Sequence, residues 1–204
     1  MTKDKSERIL SIPNLFSLSR VFLVPVFLFA VINGRTQMAF IVFLVSASTD
    51  FLDGASARLL DQKTKLGALL DPFGDKLFMT AAIIILTIPS LNSPNVLPIW
   101  LTALVIGRDV LIVGGSVGLY LMIRADSFPP TLTGKASTVW QFSTLLLVLL
   151  FNMLGKEAGF LLWCYILAGI LTITSGYEYV RRGCQWLRAS RKKDGNTIGG
   201  TQKG

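Results

Sequence analysis

Six apolar blocks separated by short polar breaks constrain this chain more than any other feature. They run roughly Leu15–Ile32, Met38–Leu52, Pro72–Ile88, Ile99–Met122, Val139–Leu154 and Gly159–Val180. A helix needs about 20 mostly apolar residues to cross the hydrocarbon of a bilayer. The blocks approach that length, and none shows the short alternating pattern of a barrel strand. The breaks carry turn formers: Asn33-Gly34, Pro89 through Pro98, and Phe128-Pro129-Pro130. Only 16% of the residues are charged, against about 25% in soluble proteins. The expectation is an all-α integral membrane protein of six transmembrane helices, one membrane domain over residues 1–193 and no appended soluble domain.

Charge placement orients such a bundle, because cytoplasmic loops are enriched in Lys and Arg. An inside N-terminus gathers Lys3, Lys5, Arg8, Arg20, Arg58, Lys63, Lys65, Arg124, Lys135 and the basic tail on one side. Of the 20 Lys and Arg residues only Arg35 and Lys156 fall opposite, while Lys76 and Arg108 lie within blocks. Both termini are therefore expected in the cytoplasm. The tail residues Arg181, Arg182, Arg188, Arg191, Lys192 and Lys193 directly follow the last block, so the net charge of +8 points to anionic lipid headgroups rather than nucleic acid. Lys5–Ile12 suits a short helix lying in the membrane interface, with Asn14 as N-cap of the first spanning helix. The first block reads as a retained helix rather than a cleaved signal. Residues 194–204 are polar and Gly-rich, the composition of a disordered tail.

The chain has no histidine, which excludes Ser-His and Cys-His nucleophilic chemistry and any zinc site built on imidazole. Its two cysteines, Cys164 and Cys184, share no metal-binding spacing, and Cys164 reads as a small packing residue.

Chemistry concentrates between Asp50 and Asp75, in DFLDGASARLLDQKTKLGALLDPFGD. As spacings this is D-x2-D-G-x2-A-R-x8-G-x3-D-x3-D. Asp50, Asp53, Asp71 and Asp75 are four of only 12 acidic residues in the chain. On helices the i, i+3 pair Asp50/Asp53 shares one face, as does the i, i+4 pair Asp71/Asp75. A short connection makes the two helices neighbours. Four convergent carboxylates repel one another unless cations neutralise them, and hard oxygen ligands suit Mg2+, Mn2+ or Ca2+. Four acids suffice for two ions bridged by shared carboxylates. Gly54, Ala57 and Gly67 remove bulk beside them, so a large ligand can approach the backbone. Arg58 offers a fork to a phosphate. Together these describe a pyrophosphate-binding site, with Asp61 beside it as a solvated loop acid.

This run resembles, without a substitution, the signature of the CDP-alcohol phosphatidyltransferase family. The resemblance extends over Ile12-Pro13-Asn14 with Ser17 and Arg20, the six helices, Gly107-Arg108-Asp109 and Gly134-Lys135. It implies an integral membrane enzyme that moves a substituted phosphate from a CDP-linked donor to an alcohol and releases CMP. It further implies that Asp50, Asp53, Asp71 and Asp75 bind two divalent ions (Mg2+ or Mn2+). Asp75 would also serve as general base, and Gly54, Ala57, Arg58 and Gly67 would hold the CDP moiety.

Two acceptors stay open. The Ile-Pro-Asn segment and the length resemble members that join CDP-diacylglycerol to sn-glycerol 3-phosphate. Gly-Arg-Asp and the Pro-Pro-x3-Gly-Lys stretch resemble CMP-forming members whose acceptor is phosphatidylglycerol. Many glycerophosphate-using relatives carry Glu where this chain has Asp109. Both acceptors bear a phosphate, so Arg108, Arg124 and Lys135 are the candidate cations. An ion-coupled transporter is disfavoured by the absence of an internal repeat and by acids at helix ends rather than midplane. A dead lipid-binding scaffold is disfavoured by the unbroken motif. Gly107, Gly114 and Gly118 form a small-residue stripe suited to close helix packing, and the family resemblance implies a homodimer. No transit peptide is visible, and the expected location is a bacterial inner membrane with the active site facing the cytoplasm.

Overall fold

The structure is a computed structural model that describes the backbone of residues 12–60, 65–91, 93–123 and 131–199, with side chains over 21–48, 76–89, 91, 93–116, 118 and 131–186. Among the described residues there are six α-helices, one 3-10 turn and no strand. The helices are α1 (Ile12–Ile32), α2 (Thr36–Leu60), α3 (Lys65–Leu86), α4 (Ile99–Ile123), α5 (Leu132–Met153) and α6 (Leu161–Gly199), with the turn at Pro89–Leu91. Three contain stretches long and apolar enough to cross a bilayer: Ile99–Ser116, Leu132–Met153 and Leu161–Trp186. The described parts of the other three are shorter apolar runs, Val21–Ile32, Thr36–Ser48 and Lys76–Leu86.

The chain divides into two compact units. The first comprises Met1–Pro98 and Phe142–Leu161. In it α1 packs on both α2 and α3 around a triangle of Phe27, Phe43 and Phe78, whose ring centroids lie 5.3–6.2 Å apart. Phe142 stacks on Phe43 at 4.9 Å. Ala30, Ala39 and Ala82 are buried in the same unit. Lipid tails are as apolar as Leu, so helix association here rests on close packing, which small residues permit. Glycine closes two helices. Gly34 (φ 66°) and Gly155 (φ 63°) follow α1 and α5. In each case the glycine N–H bonds three residues back (Val31 O, Asn152 O) and the next N–H five back (Ala30 O, Phe151 O). That is the paired closure satisfying the last carbonyls of a helix.

The segment after α3 is strapped by buried amides. Leu97 N–H donates to Leu86 O at 2.9 Å. The Asn95 backbone N–H and Nδ2 both donate to Asn152 Oδ1, and Asn152 Nδ2 returns to Asn95 O. Asn95 further binds Lys156 O and the Ala158 N–H. Two buried amides thus satisfy each other and the connection after α5.

The second unit comprises Ile99–Gln141 and Leu162–Gly204. Here α4 approaches α6 where glycine leaves room. A Cβ at Gly169 would lie 2.8 Å from the Trp100 ring, and one at Gly115 2.9 Å from Tyr179. α5 and α6 run antiparallel, joined by polar rungs: Thr133 to Glu178, Ser137 to Thr172, and Gln141 to Thr172. Such bonds act as glue between helices in lipid.

Several boundaries differ from the expected ones. α1 starts at Ile12, so Asn14, expected as N-cap, lies in its first turn; Pro13 fits there because a first-turn N–H is unbonded anyway. α2 continues past Leu52 to Leu60, and α5 begins at Leu132 rather than Val139. α6 continues through residues 194–199, expected as disordered, since extending an existing helix is far easier than nucleating one. The interfacial helix expected over Lys5–Ile12 lies outside the described residues except for Ile12, which opens α1.

Candidate active site

The motif occupies two consecutive helices. Asp50, Asp53, Gly54, Ala57 and Arg58 lie in the closing turns of α2, and Gly67, Asp71 and Asp75 in the opening turns of α3. Their side chains lie outside the described residues, so the backbone fixes their placement. The contact of Phe43 with Phe78 at 5.8 Å registers the helices. Asp50 follows Phe43 by seven residues and Asp71 precedes Phe78 by seven. At about 1.5 Å per residue, each lies about 10 Å along its helix toward the connection. The helix boundaries thus keep Asp50/Asp53 one turn apart on α2 and Asp71/Asp75 one turn apart on α3. An all-oxygen donor set on two helices that turn back on each other fits hard divalent cations.

A second polar cluster lies in the other unit, at the start of α5. Thr131 caps this helix, its Oγ1 accepting the Gly134 N–H at 3.0 Å. Arg108, from α4, has a side chain only 10% exposed. Its Nη1 donates to Asp109 Oδ1 at 2.8 Å, while Nε and Nη2 reach Ser175 Oγ at 3.3 and 2.9 Å. Nη2 also approaches Gly134 O at 3.4 Å. A guanidinium has five N–H donors, and protein groups engage most of them here. A charge inside an apolar helix is expensive unless paired, and Arg108 is paired. Beside it Thr133 donates to Glu178 Oε2, and Arg182 donates to Glu178 Oε1.

Of the three cations singled out for an acceptor phosphate, Arg108 is thus a junction between α4, α5 and α6. Lys135 is exposed in the first turn of α5, one residue from Gly134. Arg124 lies outside the described residues. Thr133, Ser175 and Glu178, not singled out from sequence, complete the cluster with Arg182, which was expected at lipid headgroups and is paired with Glu178. One signal was available: Glu178 is an acid inside the last apolar block, four residues before Arg182, the spacing of a helical ion pair.

The model of the family described as CDP-alcohol phosphatidyltransferase matches residues 10–174. The chain belongs to that family. Among relatives, a CDP-diacylglycerol–glycerol-3-phosphate 3-phosphatidyltransferase of Aquifex aeolicus is 34% identical over 166 residues, covering 81% of this chain and 88% of that one. One of the same name from Pseudomonas fluorescens is 30% identical over 201 residues, covering 91% and 96%. A probable cardiolipin synthase (CMP-forming) of Drosophila melanogaster is 30% identical over 214 residues, covering 94% of this chain and 63% of that one. Proteins of both names are therefore similar to this chain. Among the described residues the architecture is all-helical with three helices long and apolar enough to cross a bilayer, in agreement with the all-α membrane class expected from the apolar blocks.

Proposed function

We propose that this phosphatidyltransferase moves the phosphatidyl group of CDP-diacylglycerol to the hydroxyl of sn-glycerol 3-phosphate and releases CMP. One observation carries the reading: an unbroken eight-position motif in a chain similar over 81% of its length to a relative named for that reaction. The acceptor oxygen forms its bond to the phosphatidyl phosphorus as the P–O bond to CMP breaks, and the hydroxyl proton passes to Asp75. Gly54, Ala57 and Gly67 leave space for the CDP moiety, and Arg58 pairs with its phosphates. Asp50, Asp53, Asp71 and Asp75 would hold two divalent ions (Mg2+ or Mn2+), which when bound neutralise the pyrophosphate and the leaving group. Arg108, Arg124 and Lys135 supply positive charge toward the acceptor phosphate.

The same reading includes six membrane-spanning helices within a single membrane domain over residues 1–193, both termini and the motif on the cytoplasmic side of a bacterial inner membrane, and a homodimer. A second acceptor, phosphatidylglycerol, is favoured by the similarity to the Drosophila cardiolipin synthase across 94% of this chain.

The test is CMP release by purified protein given CDP-diacylglycerol and Mg2+, with each acceptor offered alone. We expect release with sn-glycerol 3-phosphate, loss on chelation and recovery on adding Mg2+. Asp75→Asn should be slower by about 100-fold or more, the scale of a general base. Release with phosphatidylglycerol alone would establish the second acceptor. Release with neither would refute transfer to both.

A further inference from the structure

The first turn of α5 is tied directly to α6 by the carboxylate of Glu178, and indirectly through Arg108. Thr131 organises that turn, its Oγ1 accepting Gly134 N–H at 3.0 Å and its carbonyl accepting Lys135 N–H at 3.1 Å. Between cap and lysine, Thr133 donates its hydroxyl across to Glu178 Oε2, and Arg182 donates to Glu178 Oε1. Both carboxylate oxygens are engaged, one from α5 and one from α6. Arg108 braces the same turn from α4, reaching Gly134 O at 3.4 Å and Ser175 Oγ at 2.9 Å. There is little slack: a Cβ at Gly134 would lie 2.9 Å from Thr131 Oγ1 and 3.2 Å from Arg108 Nη2.

Glu178, with its side chain 27% exposed, already has Arg182 of its own helix as an ion-pair partner. Satisfying Arg182 does not require Thr133, so the bond that crosses between helices does something the ion pair alone does not. It fixes the turn that carries Lys135. A lysine is a point charge on a flexible stem, and it binds a phosphate well only when its backbone anchor is held in place.

We propose that Glu178 is a positioning residue for the phosphate of the acceptor, holding the first turn of α5, and through it Lys135, against α6. This rests on the assignment of Lys135 to the acceptor phosphate in the proposed function. Glu178 touches neither substrate, so its removal weakens acceptor binding and leaves the chemical step alone.

The experiment combines acceptor kinetics with amide exchange on the full chain in detergent. Thr133→Val deletes the crossing bond and the 3.1 Å Thr133–Thr131 hydroxyl contact and leaves the Glu178–Arg182 pair, while Glu178→Leu deletes the crossing bond and the pair and leaves the Thr133–Thr131 contact. Each should raise KM for sn-glycerol 3-phosphate about fivefold to tenfold, with kcat and KM for CDP-diacylglycerol within twofold. Glu178→Gln keeps an oxygen that accepts from Thr133 and should recover most of the loss. In a Lys135→Met background Thr133→Val should add less than twofold, because its effect passes through that lysine. The Gly134 and Lys135 amides should exchange about tenfold faster than in wild type in both Thr133→Val and Glu178→Leu, the second of which leaves the Thr131 cap untouched. An unchanged acceptor KM, a parallel rise for CDP-diacylglycerol, full additivity with Lys135→Met, or unchanged exchange would each overturn the inference. If wild type releases no CMP with either acceptor, the transfer reading falls, while exchange still decides whether the crossing bond holds the turn.

Discussion

At the scale of single residues, α4 carries two adjacent glycines with opposite duties. A Cβ at Gly115 would meet Tyr179 Cε1 at 2.9 Å, whereas one at Gly114 meets nothing within 4 Å among the described residues. Tyr179 cannot easily yield, because it is buried and its hydroxyl donates to Ile112 O at 2.9 Å and accepts from Ser116 at 2.6 Å. Gly115→Ala therefore sets overpacking of about 1–3 kcal/mol against about 1 kcal/mol of helix propensity gained. Gly114→Ala has the gain alone. The net of about 0–2 kcal/mol lowers Tm by up to roughly 8 °C for Gly115→Ala, and Tm is expected unchanged or raised for Gly114→Ala. Equal Tm values would mean that Tyr179 is not pinned. Spacing in the sequence favours Gly114, as part of the stripe with Gly107 and Gly118, over Gly115; the neighbour across the interface reverses that order. The motif residues were legible for the opposite reason. Asp50, Asp53, Asp71 and Asp75 are charges where charge is costly, so their spacing carries information without any knowledge of neighbours.

At the scale of elements, the six apolar blocks foretold six helices, and the errors lie at their ends. α2 extends eight residues beyond its block, from Leu52 to Leu60, because the polar motif that ends the apolar run does not end the helix. α5 starts seven residues before Val139, at Leu132, since Thr131 supplies a cap that hydropathy does not register. The stripe Gly107, Gly114 and Gly118 on α4, expected as a close-packing surface, is uncrowded within the described residues, and the close approach falls at Gly115 instead. No added Cβ at the three would meet another atom within 4 Å among the described residues, and Val110 and Val113 on the same helix are 65% and 51% exposed. The proposed homodimer assigns this face to a second copy. In a background lacking Cys164 and Cys184, Val110→Cys should crosslink to a dimer in native membranes, and Gly114→Leu should reduce that product severalfold. Monomer alone in the uncrowded stripe would refute α4 as the dimer contact.

At the scale of the whole molecule, the longest helix carries a marked charge asymmetry along its length. α6 has 39 residues, which at 1.5 Å each is about 58 Å, against about 30 Å of hydrocarbon. The excess lies at its C-terminal end, where Arg181 and Arg182 are followed by Arg188, Arg191, Lys192 and Lys193 in the same helix. Its other end follows exposed Lys156 in the short connection after α5. Moving that basic end across a bilayer would cost several kcal/mol per charge, which supports the proposed orientation. Cys184, exposed near the basic end, is a native reporter. An impermeant maleimide should label it in inverted membrane vesicles but not in intact cells. With Cys164 and Cys184 replaced by Ser, Lys156→Cys should show the reverse. The reversed pair of results would place the basic end of α6 outside. Because the proposed up-and-down order sets the α2–α3 connection on the same side as that end, the motif would then face away from the cytoplasm, and the proposed access of a cytidine nucleotide headgroup would fail with it.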